Sequence, residues 1–115
     1  MNHMSEYLKH KVLIDNLITN QVYVALFNET TEITQPSYAR QPVLFATPAN
    51  GQSSNNTDIL FPIAGESWGN ITHIGIFDTQ TTGNLLFKSA AEFVKTIEIS
   101  SQYKIPKNYL IVRLR

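Results

Sequence analysis

The sequence predicts a mainly β fold: an antiparallel β-sandwich, jelly-roll or Ig-like, of about seven strands with one N-terminal amphipathic helix. Short segments rich in β-branched and aromatic residues alternate with turn signals from about residue 21 to residue 114. The segment before them has the apolar spacing of a helix. With 115 residues and 43% hydrophobic composition, the chain fits one domain, 1–115, around one core.

The predicted helix covers about residues 6–18. Ser5 is a suitable N-cap, and Glu6 places a negative charge in the first turn, where the helix dipole favours it. One face is expected to pack on the domain and holds Tyr7, His10, Ile14, Leu17 and Ile18, with Leu13 at its border. Leu8 and Val12 lie on another side, which suggests a second surface that docks on a neighbouring subunit.

Seven segments are predicted strands: 21–27, 38–46, 58–63, 71–78, 85–90, 93–99 and 109–114. Pro42 lacks an amide donor, so its strand is expected at a sheet edge or with a bulge, and this edge is a second candidate docking surface. The segment 47–56, with Asn50-Gly51 at its centre, is the strongest loop signal and is expected to project outward.

Composition excludes several classes of function. Nine basic and nine acidic residues give no net charge and no electrostatic footprint for nucleic acid. The apolar runs are too short for a membrane span, and the sequence starts without a secretory signal, so synthesis in a cytosol is expected. Ser, Thr, Asn and Gln number 35 against 18 charged residues, a polarity that suits a subunit packed against other protein.

Catalysis and metal binding have weak support. His73 could act as a general base with Asp78 or Asp58, but the favoured interpretation is a half-buried strand residue with a local hydrogen bond. The carboxylates Asp58, Glu66 and Asp78 fall at strand ends or turns, where they usually cap amides or face water. The absence of cysteine and of spaced histidines argues against a metal site. We therefore expect no enzyme, no cofactor and no metal, with a hydrolase built on His73 and Asp78 as the remote alternative.

Two further side chains have two interpretations each. Trp68, flanked by Gly65, Gly69 and Asn70, either stacks on a sugar or plugs an open end of the sandwich. Arg40 either bridges a carboxylate in a subunit contact, as its planar fork allows, or faces solvent on an edge strand.

The middle of the chain resembles a family of small tailed-bacteriophage virion proteins, often labelled tail-fibre or minor structural proteins. The resemblance runs from about Leu17 to Phe87 and is most specific in Trp68-Gly69-x-Ile71-Thr72-His73-x-Gly75-Ile76-Phe77-Asp78. Other matching strings are Val24-Ala25-Leu26-Phe27, Tyr38-Ala39-Arg40-Gln41-Pro42-Val43, Phe45-x-x-Pro48-x-Asn50-Gly51, Ser53-Ser54-Asn55, Phe61-Pro62 and Gly83-Asn84-Leu85-Leu86. Gln35-Pro36-Ser37 departs from the glycines that family members often have before the tyrosine.

The resemblance implies a virion structural protein, and no catalytic residue is carried over from it. We expect an accessory protein on the particle surface that binds other virion proteins, as a capsid decoration or cement protein. The alternative is a tail or tail-fibre component, with host-glycan binding through Trp68. A homo-oligomer, such as a trimer, is expected to form through Leu8, Val12, Arg40 and Pro42.

Overall fold

One N-terminal helical segment and nine β-strands make up the computed structural model over the residues it describes, 4–114. The helix α1 (Glu6–Leu13) continues into a π-helical turn, Ile14–Ile18. The strands are β1 (Val22–Asn28), β2 (Thr31–Glu32), β3 (Gln41–Val43), β4 (Gln52–Ser54), β5 (Ile59–Leu60), β6 (Gly69–Phe77), β7 (Leu85–Ile97), β8 (Lys104–Ile105) and β9 (Ile111–Arg113).

The helical segment starts where its cap predicts. The Leu8 amide donates to Ser5 Oγ at 3.1 Å. Its buried face is narrower than expected: Leu13 and Leu17 are buried, whereas Tyr7 is 78% exposed. The helix contacts β4, where the stem of Lys9 lies close over Gly51. Tyr7 points away from this contact because two residues correspond to about 200° around a helix.

A five-stranded antiparallel sheet forms one layer. Its main order is β2-β1-β6-β7, and β3 pairs with the first half of β1. The central strand β1 is buried almost throughout, as its apolar sequence predicts. Pro42 lies on β3, opposite Tyr23 of β1. Among the described strands β3 pairs with β1 alone, so it is an edge strand, as the proline predicts.

The hairpin of β6 and β7 is longer than predicted. The expected strands 85–90 and 93–99 are one strand with a wide bulge: Ala90 pairs with His73 and Lys95 with Ile71, so residues 91–94 stand opposite Thr72 alone. The buried face of β6 also changes at this point. Ile74 and Ile76, which follow Thr72 along the strand, are buried. Ile71, which precedes Thr72, is buried as well, although simple alternation would place its side chain on the opposite face of the sheet.

The second layer consists of two short ladders, β4 with β9 and β5 with β8. The expectation that residues 47–56 project outward is wrong, because this segment contains β4 and packs inward. Asn50 and Gly51 form a tight turn with positive φ at both residues, and Ala49 and Gln52 bridge across it. Asn55 is fully buried, so the polar sequence that indicated a loop supplies internal hydrogen bonds instead.

Both layers contribute to one hydrophobic cluster. It draws on β1 and β6 from the large sheet and on the short ladders and the helical segment from the other side, including Leu13, Val24, Leu26, Phe61, Ile76, Ile105 and Val112. The prediction of a mainly antiparallel β fold with a sandwich-like arrangement and one N-terminal helix is confirmed. Within residues 4–114, no helix combines the length and apolarity that a membrane crossing requires.

Candidate interaction surface

A polar cluster joins the buried Arg40 to Glu32 and Tyr38, which are both half-buried. The Glu32 carboxylate accepts two hydrogen bonds from Arg40, from Nε and Nη2, both at 2.8 Å. It also accepts the Tyr38 hydroxyl at 2.6 Å. The Tyr38 oxygen in turn accepts the Leu26 amide at 3.1 Å, which ties the cluster to the central strand. This pairing is bidentate, a geometry that arginine provides and lysine does not.

Arg40 also fastens the tip of the β6–β7 hairpin. Its Nη1 donates to the carbonyl oxygens of Thr79 at 3.0 Å and Thr82 at 2.7 Å. Its guanidinium lies 3.6 Å from the centroid of the Phe77 ring, which stacks on Phe27. The side chain therefore connects the segment before β3 with a turn about forty residues later, an effect that stiffens the hairpin.

Electrostatics within the cluster are consistent with a charged ion pair. Burial alone would raise the pKa of Glu32, but hydrogen bonds from Arg40 and Tyr38 outweigh it and the pKa lies below its ordinary value. Burial and then the bond to Glu32 raise the pKa of Tyr38. The hydrogen bond between Arg40 and Glu32 raises the pKa of Arg40. The cluster thus holds one carboxylate and one guanidinium, both charged at neutral pH.

The structure places the four candidate interface residues in two settings. Arg40 is 8% exposed, and the carboxylate it bridges belongs to its own chain, so the solvent-facing alternative is wrong. Pro42 is exposed on β3, Leu8 is 43% exposed on α1 and Val12 is half-buried. The protomer does not bring these four together, and their role in subunit contact stays a prediction.

The Trp68 side chain is packed in the interior of the domain. It is 3% exposed, and its indole N–H donates to Ser37 Oγ at 2.9 Å. The Tyr38 ring meets it edge to face at 5.6 Å between centroids. Stacking on a sugar needs an open ring face, which a side chain this buried lacks, so the exposed position expected for glycan contact is not found.

The candidate catalytic groups each have local partners. His73 Nδ1 lies 2.9 Å from Thr72 Oγ1. Asp78 accepts the Asn84 amide, and Asp58 accepts the Lys107 amide, both at 2.8 Å. Glu66 accepts the amide and hydroxyl of Ser37. Hydrogen bonds to backbone amides lower the pKa of both Asp58 and Asp78, as expected of carboxylates that cap turns.

Metal ligands do not converge in the part of the chain that the structure describes. Residues 4–114 contain no group of three His, Cys, Asp or Glu side chains placed to hold an ion. His10 lies on α1, and His3 falls outside the described residues.

The edge of β7 is the surface that sequence reasoning missed. In the described chain β7 pairs only with β6, and its bulge exposes Phe93 by 73% and Val94 by 63%. Large apolar side chains on an unpaired strand edge are rare in monomers, because such an edge pairs with other chains. The signal available in the sequence was Ala90-Ala91-Glu92, which interrupts the apolar alternation where the bulge begins.

A groove lined by both apolar and polar residues runs beside this edge, between β7 and β9. One part encloses about 230 Å³ and is lined by Ile74, Ile76, Phe87, Leu110 and Ile111 among others. A second part of about 180 Å³ shares Ile74, Leu110 and Ile111 and continues to Glu92 and Tyr109. Burial raises the pKa of Tyr109, and the neighbouring Glu92 carboxylate raises it further. The large sheet thus extends beyond the second layer here and leaves core-facing side chains partly uncovered.

Comparison with known proteins assigns the family. The family model described as podophage GP4 fiber I protein gp80 matches residues 3–113. The chain belongs to this family. It is therefore a phage virion structural protein, as the resemblance implied. No curated protein matches the chain at the significance required.

Membership of the gp80 family bears on the two virion locations that were considered. The family description names a fibre, so it supports the tail-fibre alternative better than capsid decoration. The residues that made the resemblance specific are largely internal in this chain: Trp68 and Gly75 are buried, and Arg40 belongs to the polar cluster. These residues stabilise the fold and do not form an exposed contact surface.

Proposed function

We propose that this chain is a structural subunit of a podophage fibre, which binds other virion proteins and copies of itself through its surface and performs no chemical transformation. The single observation that carries the proposal is the family match, which extends over nearly the whole chain.

The arrangement of polar groups supports a structural role. The buried ion pair of Arg40 and Glu32 uses its hydrogen-bonding capacity inside the protomer, where it fixes the hairpin tip. His73, Asp78 and Asp58 are occupied by local partners rather than directed into a common cleft. Catalysis requires acid, base and substrate site in mutual reach.

The surface supports assembly. Exposed apolar residues occur on the β7 bulge, on α1 and on the second layer, among them Leu8, Leu44, Leu60, Phe93 and Ile111. A single contact through a few of these side chains is weak, but many copies on one particle raise the effective concentration and hence the avidity. This is the physical reason for a small subunit to work without a deep binding site.

Particles assembled without the chain test the proposal. We expect phage produced from a genome lacking this reading frame to have filled heads of normal stability but absent or truncated fibres in negative-stain images. Supplying the chain in trans should restore the fibres. Heads that leak DNA or break under osmotic shock, with intact fibres, would instead support capsid decoration and contradict the proposal.

A further inference from the structure

The free edge of β7 and the groove beside it form one concave surface. Among the described strands β7 pairs only with β6, so the backbone groups on its other side have no strand partner. Residues 87–90 pair one to one with residues 73–76, which makes them the regular part of the edge. An edge of this kind binds an extended segment by adding it to the sheet as a further strand.

The groove has room for side chains of such a segment. Phe87 and Ser89 line it from the core side of the sheet, together with their partners on β6. Its first part, about 230 Å³, exceeds the roughly 150 Å³ in which an enclosed apolar cavity holds benzene. Opposite residues of an antiparallel pair project to the same face, so the segment needs apolar side chains opposite Phe87 and Ser89, at alternate positions.

One end of the groove is acidic. Glu92 lines its second part and forms no ion pair among the described residues. The two lysines of β7 are held over aromatic rings instead: the ammonium of Lys88 lies 4.4 Å from the centroid of Phe27, and that of Lys95 lies 5.8 Å from the centroid of Tyr103. A basic residue in the bound segment is therefore the complement that this end lacks.

A second copy of the chain has no equally suitable strand to offer. Its β3 contains Pro42, which lacks an amide donor, and β2, β4, β5, β8 and β9 have two or three residues each. The β7 edge of a second copy is interrupted by the bulge at residues 91–94. The segment that fits is a free, extended part of a different chain.

We propose that β7 accepts a strand from another virion protein, added antiparallel to residues 87–90, with apolar side chains at alternate positions and a basic residue near its N-terminal end. Antiparallel addition continues the pairing of the large sheet. Because Glu92 follows residues 87–90 along β7, the N-terminal end of an antiparallel segment reaches it. The inference rests on the structural role proposed above and names the class of partner.

A synthetic peptide tests the site on the isolated full chain. The probe is acetylated and amidated Lys-Thr-Val-Thr-Val-Thr-Gln. We expect it to shift the amide resonances of residues 87–90 and to slow their hydrogen exchange, with a dissociation constant below about 1 mM. Alternate amides of a strand point to the same edge, so N-methylation of either the valines or the threonines, but not of both sets equally, should abolish binding. No binding of the parent peptide, or equal affinities of the two methylated peptides, would overturn the proposal.

Charge exchange tests the orientation. Glu92→Lys should raise the dissociation constant about fivefold or more, and a peptide with glutamate in place of its lysine should restore the affinity. Glu98→Lys, which reverses an exposed charge outside the groove, should leave binding unchanged. Unchanged thermal melting shows that each variant is folded. Equal effects of the two reversals would contradict the assigned direction of the strand.

Cross-linking in intact particles identifies the natural segment. Benzoylphenylalanine in place of Ser89, in the groove, should cross-link on illumination to an alternating apolar segment with a basic residue in another virion protein. The same group in place of the exposed Ile63 should not capture this segment. Cross-links from Ser89 only to another copy of this chain, or none in particles that contain it, would overturn the proposal. Absence of the chain from particles would instead contradict the structural role.

Discussion

Arg40 shows how one side chain connects distant parts of the chain. Its guanidinium meets a carboxylate, two carbonyl oxygens and an aromatic ring, and these partners come from β2, from the β6–β7 turn and from the end of β6. The sequence indicated a carboxylate partner for the planar fork, and the structure finds it within the same chain. A lysine has one point of charge and cannot reproduce these contacts together.

Removing one partner of this pair should destabilise the chain. We expect Arg40→Met and Glu32→Gln each to lower the free energy of unfolding by about 2–4 kcal/mol, because the remaining group stays largely buried and loses its charged partner. Urea unfolding measures this, and the double variant should cost less than the sum of the singles. Additive effects would show that the two groups do not interact.

The Glu32 carboxylate should also make stability depend on pH in a defined direction. Its folded-state pKa lies below the ordinary value of 4.5, so the folded state binds its proton less tightly than the unfolded state. The stabilisation is therefore complete above pH 4.5 and is lost as the pH falls through the lower, folded-state pKa.

Comparison of the parent with Glu32→Gln isolates this contribution. The difference in free energy of unfolding between them should be constant near neutral pH and shrink below about pH 4. Asp58 and Asp78 titrate in both proteins and cancel in the difference. A difference that is independent of pH throughout the acid range would contradict the assignment.

Trp68 is expected to act as a core residue. Trp68→Ala should lower the free energy of unfolding by about 3–5 kcal/mol, whereas Ser37→Ala, which removes the acceptor of the indole N–H, should cost less. Thermal melting distinguishes them. A stable Trp68→Ala variant that loses binding to a host glycan would contradict the core position.

At the scale of elements, Asn55 holds the second layer together. Its amide nitrogen donates to the carbonyls of Thr57 at 2.8 Å and Pro106 at 2.9 Å, and its oxygen accepts the Leu110 amide at 2.8 Å. These bonds attach the segment before β5 to the segment before β9, inside a fully buried environment. They explain why a polar run packs inward.

Neighbouring asparagines give a matched pair for this element. Asn55→Ala should cost about 2–4 kcal/mol, because it removes three hydrogen bonds and leaves the buried Leu110 amide without the acceptor it has here. Asn56→Ala should be nearly neutral, since Asn56 Oδ1 is buried with no hydrogen-bond partner. Equal effects in chemical denaturation would show that the Asn55 network carries no special stability.

Local patterns predicted the elements with local causes. The Ser5 cap, the apolar β1 and the edge position of Pro42 all follow from neighbouring residues, and the structure has them. The buried polar segment around Asn55 and the wide bulge at 91–94 depend on partners about twenty to fifty residues away, which a single sequence does not reveal. The polar segment 47–56 was therefore interpreted as exposed, although Asn55 within it forms hydrogen bonds inside the domain.

The candidate surface was predictable only in part for the same reason. Leu8 and Val12 were found from helical spacing, whereas the β7 edge requires knowledge of which strand ends the sheet. Arg40 and Trp68 were singled out by residue type, and type alone does not distinguish a surface position from an internal one. Both are internal because their hydrogen-bond partners, Glu32 and Ser37, lie close by in the fold.

For the whole molecule, the family assignment and the exposed apolar residues both support a role as a subunit that contacts other subunits. A gp80-family chain that pairs its buried Arg40 within the protomer and exposes apolar residues along one strand edge is suited to contacts with other subunits. Its outline is elongated, 45 × 27 × 25 Å.

Cryo-electron microscopy of the intact particle tests this account most directly. The account predicts density for the sandwich and its long hairpin within the fibres. Density for the chain on the capsid shell, or its absence from assembled particles, would contradict it.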